Sequence, residues 1–414
     1  MSGIGGVVPV GAAVRNNLLA VVGDSFSSQS YFDGTDFIYN NADGFVPWAC
    51  ALSGQRMTVV SWAARGNSRV SADAGSPGVR FDIQVQQAIA SGADNLLIMG
   101  GVNDCFAGFP LAQITGAYDA CLQAAIGAGM RVWACTQASM NSAHGSYTVA
   151  IQAKLLALNE WLRQRVASTY AKYGVTVVDI AAAAVDASSA TANWRTSGSQ
   201  DNLHPRNVGA YYMGKELARV WSLFAQEVPQ LPSSNADNYG YSTACTNYLD
   251  NGLFVNGAGT ATGFTGSVIV GGLSINSLVA RSDGFGNSQR MVQTSAANND
   301  GYRLASSNYA SRFSAGDTVY AQCLVDVSAI TALRGVQMQL VASGTTTRAA
   351  YDLFVDTTND AALPEGFTVV LRTPPIQIVG TPVTVVARVD SNYSGAGGAT
   401  IDVSRMAIRK VASA

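Results

Sequence analysis

The sequence predicts an α/β, doubly wound parallel sheet followed by an all-β sandwich. Three observations carry this. Through the first 228 of 414 residues, short apolar runs alternate with amphipathic helical stretches. All six tryptophans and both histidines lie in that part. Beyond about residue 248 the chain breaks into short β-rich runs separated by Gly, Pro, Asp and Ser. Strand–helix alternation builds a parallel sheet with helices on both faces. Closely spaced short strands without helices build an antiparallel sandwich.

The elements follow in order. "LLAVVG" (18–23) is a short apolar run, as in a strand buried on both faces. "RMTVVSWAARG" (56–66) is a second strand, and "FDIQVQQAIASG" (81–92) a helix closed by Gly92. "NLLIMGG" (95–101) is a third strand, 111–129 a helix and "RVWACTQ" (131–137) a fourth strand. A long 3.6-residue period over 147–174 predicts one helix, and "VTVVDI" (175–180) a fifth strand. The stretch 205–226 opens with proline in its first turn and continues as an amphipathic helix. "EVPQLPSSNADNYGYSTA" has two prolines and many small polar residues, as a linker does. The expected division is 1–228, a linker at 229–247, and 248–414. In that last part "TVYAQCLVDVS", "RGVQMQLVAS", "AAYDLFVDT", "GFTVVLRT", "PIQIVG", "PVTVVARVDS" and "ATIDVSRMAIRKV" are the strands.

Composition narrows the function classes. Hydrophobic residues make up 48% and charged residues 13%, enough to build a sizeable core. A net charge of −2 offers no footprint for nucleic acid or for an anionic membrane. No run of 18 apolar residues predicts membrane insertion. The opening residues lack the basic stretch of a clear signal peptide. The six cysteines form no CxxC, and with two histidines they predict no zinc cluster. They read as mostly buried thiols, with a local bridge left open only at Cys105.

Four short motifs fall where chemistry is expected. Gly23, Asp24 and Ser25 follow strand one, Gly66 follows strand two, and Gly101, Asn103 and Asp104 follow strand three. In a doubly wound sheet these share one rim, beyond the carboxyl ends of the strands. Asp201 and His204, in "DNLHP", open the last helix and return to that rim. Acyl transfer needs a serine whose proton a base removes, a base steadied by a carboxylate, and fixed donors for the oxyanion. The backbone N–H groups of Ser25 and Gly66 and the amide of Asn103 are candidate donors. Gly66 also permits close approach of substrate and an unusual φ. His144 reads as a loop residue. Asp104 reads as ordering the Asn103 turn, and Asp24 as holding its own loop. Asp179 and Asp186 are rival carboxylates with nothing to place them beside His204.

In these motifs, "GDS", "RGNS", "GVND" and "DNLH" in that order, the chain resembles the SGNH, or GDSL, hydrolase family. "DGFVPWACALSGQRMTVVSWAARG" also resembles that family's run from first helix to second strand. The resemblance covers about 15–228. It implies a flavodoxin-like three-layer fold, with Ser25 as nucleophile, His204 as base and Asp201 as its partner. It also implies Ser25, Gly66 and Asn103 as the oxyanion hole. Phe26 stands where leucine or isoleucine often does, which points to altered packing or an altered pocket wall.

The C-terminal part is loosely similar to jelly-roll carbohydrate-binding modules, through "NGLFVNG", "AGDTVYAQCLVDVS" and "ATIDVSRMAIRKV". With no tryptophan there, sugar stacking would fall to Tyr302, Tyr309 or Tyr351. A role in attachment or oligomerisation is the equal alternative. The combined expectation is a serine esterase that works through an acyl-enzyme without metal or organic cofactor. Its expected substrate is an acetylated polysaccharide, which it deacetylates. Alternatives are a lipid or thioester hydrolase, or a non-catalytic glycan-adhesion or phage-tail component. The setting expected is extracellular or virion-associated. The acyl range depends on loops 26–44 and 138–147.

Overall fold

A computed structural model describes residues 17–71, 79–225, 231–238, 246–356 and 360–411. Residues 1–16, the parts of the expected linker at 229–230 and 239–245, and with them Cys245, lie outside these. The chain forms two compact units. The first is Met1–Ser30, Gly44–Ala49 and Arg56–Gln226; the second is Tyr31–Asp43, Cys50–Gln55 and Glu227–Ala414.

In chain order the elements up to residue 224 are β1 (Leu18–Gly23), α1 (Ser25–Ser28), β2 (Tyr31–Asp33), β3 (Phe37–Asn41), α2 (Phe45–Leu52), β4 (Thr58–Trp62), α3 (Phe81–Ala90), β5 (Asn95–Met99), α4 (Val102–Phe106), α5 (Leu111–Gly127), β6 (Arg131–Cys135), α6 (Val149–Trp161), α7 (Ala167–Tyr170), β7 (Val175–Val178), α8 (Ile180–Ala184) and α9 (Asn207–Phe224). The sheet of the first unit is wholly parallel, in the order β4-β1-β5-β6-β7. Strand order reverses at β1, so the switch point lies between β1 and β5, where α/β sheets open a crevice. The core is set by apolar runs buried on both sides: Leu19–Val22 and Leu96–Met99 have no exposed surface. Trp48, Trp133, Trp221, Tyr118, Phe45 and Phe81 fill the helical layers against them.

The predicted strands and helices of this unit are present, with two local differences. The helix expected over 147–174 starts at Thr148, whose Oγ1 accepts from Ile151 N at 3.1 Å, but passes through a π-helical turn at Leu162–Val166. That turn carries Arg163, which holds Asp179 through two 2.8 Å bonds. The last helix begins at Asn207 rather than at Pro205, which pairs with Ser199 in an isolated bridge.

In the second unit, after two-residue strands β8 (Gly257–Ala258) and β9 (Thr260–Ala261), come β10 (Phe264–Val270), β11 (Leu273–Ala280), β12 (Asn287–Ser295), β13 (Asn298–Ser306), β14 (Thr318–Ser343), β15 (Thr347–Phe354), β16 (Phe367–Arg372), β17 (Ile376–Gln377) and β18 (Thr384–Lys410). The expected β-sandwich character holds, but four of the predicted strands are two. "TVYAQCLVDVS" and "RGVQMQLVAS" are one strand, β14, and the last two runs are one strand, β18. These form a long antiparallel ribbon whose register breaks between Ser328 and Gly335, where Ala329 and Ala332 take positive φ. One half of the ribbon pairs with β12 and β16, the other with β13 and β15. Alternate residues Val319, Ala321, Cys323 and Val325 are buried, as a sandwich core requires.

One hairpin departs from an all-antiparallel sandwich. β2 and β3 pair with each other, and β3 runs parallel to β15 with Tyr39 opposite Tyr351. Asp352 anchors this edge. It accepts from Asn40 Nδ2 at 2.8 Å and from Arg372 N at 2.7 Å, and burial pushes its carboxyl up to about 6. The segment 31–41, expected to form part of a substrate loop, is thus a sheet edge of the second unit. Tyr302 and Tyr309 are buried, Tyr302 hydrogen-bonded to Asn276 Nδ2 at 2.7 Å, so neither presents a ring face for sugar stacking. Tyr351 is half-buried and bonded to Gln339. Five cysteines (Cys50, Cys105, Cys121, Cys135 and Cys323) are buried and free, so there is no local bridge at Cys105.

Candidate active site

Ser25 is the first residue of α1, immediately past the carboxyl end of β1 at the switch point. Asp24 caps that short helix, its Oδ1 accepting from Phe26 N at 3.1 Å. As the first helical residue, Ser25 has a backbone N–H with no intrahelical acceptor. Its Oγ lies 2.8 Å from Nε2 of His204, and Nδ1 of His204 lies 2.7 Å from Oδ2 of Asp201. The other oxygen of Asp201 accepts from the backbone N–H groups of Leu203 and His204, at 3.0 and 2.7 Å. Partial burial pushes the Asp201 carboxyl up. The His204 ring and these N–H groups outweigh it, and the net displacement is downward. An ionised carboxylate only accepts, so the proton on the neutral ring sits on Nδ1 and Nε2 is left to accept from Ser25.

The turn that brings Asp201 and His204 together is held from outside. Asn202, between them, takes φ +69°. Asn141 grips it twice: its N–H donates to Asn202 O at 2.8 Å and its Nδ2 to Asn202 Oδ1 at 3.1 Å. Asn141 Oδ1 accepts from Trp194 N at 2.6 Å, and Trp194 Nε1 donates to Ser139 O at 2.6 Å. The Trp194 ring stacks on Phe26, 6.3 Å between centroids, and Phe26 leans on the His204 ring at 5.4 Å. Phe26 is fully buried and so backs the imidazole. The carbonyl of His204 accepts from Ser199 Oγ at 2.8 Å and Gln200 N at 3.1 Å.

The other two motifs are tied together behind the serine. Asn103 lies in α4, whose start at Gly101 needs φ +122° and leaves no room for a side chain, since a Cβ would sit 2.4 Å from Leu158 Cδ2. Asn103 Nδ2 donates to Ser68 O at 3.0 Å, which leaves its second N–H for an incoming oxygen. Gly66 is exposed with open space where a Cβ would stand. The left-handed residue of its turn is Asn67, φ +60°, so the unusual φ expected at Gly66 belongs to its neighbour. Asp104 is buried and accepts from Val70 N at 2.9 Å, Ser71 N at 2.8 Å and Ser71 Oγ, so it orders the loop after Gly66 rather than its own turn. Gln84 bridges the first two motifs, accepting from Gly23 N at 2.8 Å and donating to Ser68 Oγ at 2.9 Å.

The rivals lie elsewhere. Asp179 is engaged by Arg163 and Thr136, Asp186 by Ser188, and His144 stacks on Phe106 and accepts from Ser146 N. Among the described residues no group of three His, Cys, Asp or Glu side chains stands where it could hold a metal.

Asp24 has a further property. Burial, with the nearby charge of Asp104 adding to it, pushes its carboxyl up to about 7 despite the Phe26 N–H. The unfolded chain ionises Asp24 near 3.8, the folded chain only near 7. Between those values the unfolded state binds fewer protons, so this group lowers stability progressively as pH rises from about 4 to 7. Asp24→Asn keeps the cap acceptor and removes the charge. It is expected to raise the melting temperature by about 5 °C at pH 8 and to change it little at pH 4, by thermal denaturation. Equal shifts at both pH values would refute this account.

This unit is a three-layer α/β fold with its candidate site at the topological switch point. Residues 21–211 match the GDSL-like lipase/acylhydrolase family. Among solved structures the chain is similar to Est24, a carbohydrate acetylesterase from Sinorhizobium meliloti (13% identity, 50% of this chain and 99% of that one, TM-score 0.39). It is also similar to an aryl esterase of M. smegmatis (16%, 50% and 99%, 0.35) and to a member of the lipolytic G-D-S-L family from Veillonella parvula DSM 2008 (13%, 50% and 98%, 0.36). A search of curated proteins found no match.

Proposed function

We propose that the chain is a serine esterase that removes O-acetyl groups from a polysaccharide. The observation that carries this is the unbroken relay from Ser25 through His204 to Asp201, with contacts of 2.8 and 2.7 Å. Ser25 Oγ attacks the ester carbonyl as its proton passes to His204 Nε2. The oxyanion is met by the N–H groups of Ser25 and Gly66 and by Asn103 Nδ2. The tetrahedral adduct collapses, and His204 returns the proton to the departing sugar oxygen, leaving acetyl on Ser25. Water then gives a proton to His204 and attacks the acyl group. Acetate leaves and Ser25 recovers its proton. No step needs a metal or organic cofactor.

Two features favour a bulky glycan over a lipid. The side chains of His204 and Asp201 are 23% and 48% exposed, so the relay opens outward rather than into a deep apolar tunnel. A β-sandwich unit is appended, as befits an enzyme that works on a large polymer. The test is acetate release from a panel of acetylated polysaccharides beside p-nitrophenyl esters of rising chain length. Acetyl substrates are expected to be turned over best; a preference for long acyl chains would overturn the reading.

Asn103 offers a second test. Asn103→Ala should lower kcat by about 100- to 1,000-fold, roughly 2.7–4 kcal/mol of transition-state stabilisation, with KM nearly unchanged. Steady-state kinetics on p-nitrophenyl acetate read this directly. A change confined to KM would remove Asn103 from the oxyanion hole.

A further inference from the structure

One edge of the second unit carries an apolar strip that the esterase reading leaves unused. β10 and β11 follow one another through Gly271 and Gly272, and each pairs with a strand on one side only among the described residues: β10 with β13, β11 with β12. β11 is regular over its full length, Leu273–Ala280, without a bulge. Residues 264–280 include no charged residue and no proline. Val268, Ile269, Val270, Leu273 and Ile275, with Val292 opposite Ile275, are 41% to 75% exposed. Exposed sheet edges are normally guarded by lysine, proline, bulges or a covering element, because open N–H and C=O groups recruit further strands. On β11 none of the first three guards is present.

We infer that this strip is where a second copy of the chain docks. Its chemistry disfavours other occupants. Nucleic acid and anionic lipid call for Lys and Arg, and sugars call for exposed rings and hydrogen-bonding side chains. The six side chains offer on the order of 500 Å² of apolar surface, and two such strips about 1,000 Å², the threshold for a specific interface. Two such uncharged strips meet without like-charge repulsion at the contact, and an edge paired about a two-fold axis is complementary to itself. The inference does not rest on the catalytic reading.

The 414-residue chain should sediment, at about 1 to 100 μM, as a multiple of its 43.0 kDa mass. Ile275→Lys combined with Val268→Lys should reduce it to single chains, with circular dichroism and p-nitrophenyl acetate turnover unchanged. If that variant misfolds, Ile275→Thr, which keeps the β-branched side chain on the strand, should raise the dissociation constant at least about tenfold. A wild-type chain that stays monomeric at the highest concentration would overturn the inference. So would a folded lysine variant that keeps the oligomer.

Discussion

Replacing Ser25 with alanine is expected to lower ester hydrolysis by about 10⁴- to 10⁶-fold, down to background, with the fold intact. The size follows from what the hydroxyl does. Without it no acyl-enzyme forms, and what remains is whatever the oxyanion donors contribute to direct attack by water. The substitution is structurally mild: Asp24 still caps α1 through Phe26 N, and Phe26 still backs the imidazole. Alanine removes the hydrogen bond between Oγ and His204 Nε2. Burst kinetics with p-nitrophenyl acetate separate the possibilities. The wild type should release a stoichiometric burst of nitrophenol if deacylation is the slow step, and Ser25→Ala should release none. Equal steady-state rates in both proteins would remove Ser25 from the mechanism, whatever the distances.

How much of this is legible in the sequence depends on the range of the interactions. The five parallel strands announce themselves because "LLAVVG" and "NLLIM" must be apolar on both faces to lie in the middle of a covered sheet. Asp201 and His204 are legible as a pair because their meeting is local, three residues apart in one turn. Ser25 is 179 residues from His204, and only the order of motifs at strand ends suggests that they meet. Asn141 and Gln84 are not legible. Each is a lone amide with no period to betray it, and its value lies in bonds to Asn202, Gly23 and Ser68 that exist only once the chain has folded.

The hairpin at Tyr31–Asn41 is hidden for a related reason. Its strands are three and five residues long, and its parallel partner, β15, lies more than 300 positions away. No turn signal between neighbours encodes such a pairing. The continuity of β14 is recoverable. "AITAL" (329–333) separates the two predicted strands without a single Gly or Pro, the residues a hairpin there would have needed.

Asp201→Asn is expected to lower kcat by about 10⁴-fold while leaving the three side chains in place. The carboxylate does two things that an amide does not. It accepts only, which forces the proton onto Nδ1 and keeps Nε2 free for the serine proton, and it stabilises the imidazolium that forms as Ser25 attacks. An amide can instead turn its NH₂ toward Nδ1, which favours the tautomer with Nε2 already protonated and unable to act as base. Asp201 Oδ1 also accepts from Leu203 N and His204 N, and the asparagine carbonyl retains that role, so the turn should persist. The bonds from Asn141 to Asn202 hold the same turn independently of the charge. Loss of rate with an unchanged melting temperature is therefore the expected signature. The pH profile adds a second reading. Because the Asp201 carboxyl lies below its ordinary value, it should stay ionised in the wild type through mildly acidic pH, so the carboxylate itself should not set the fall in rate there. A variant with asparagine at 201 that retains more than about a tenth of wild-type kcat would show that His204 needs no carboxylate here, and the relay would reduce to a Ser–His dyad.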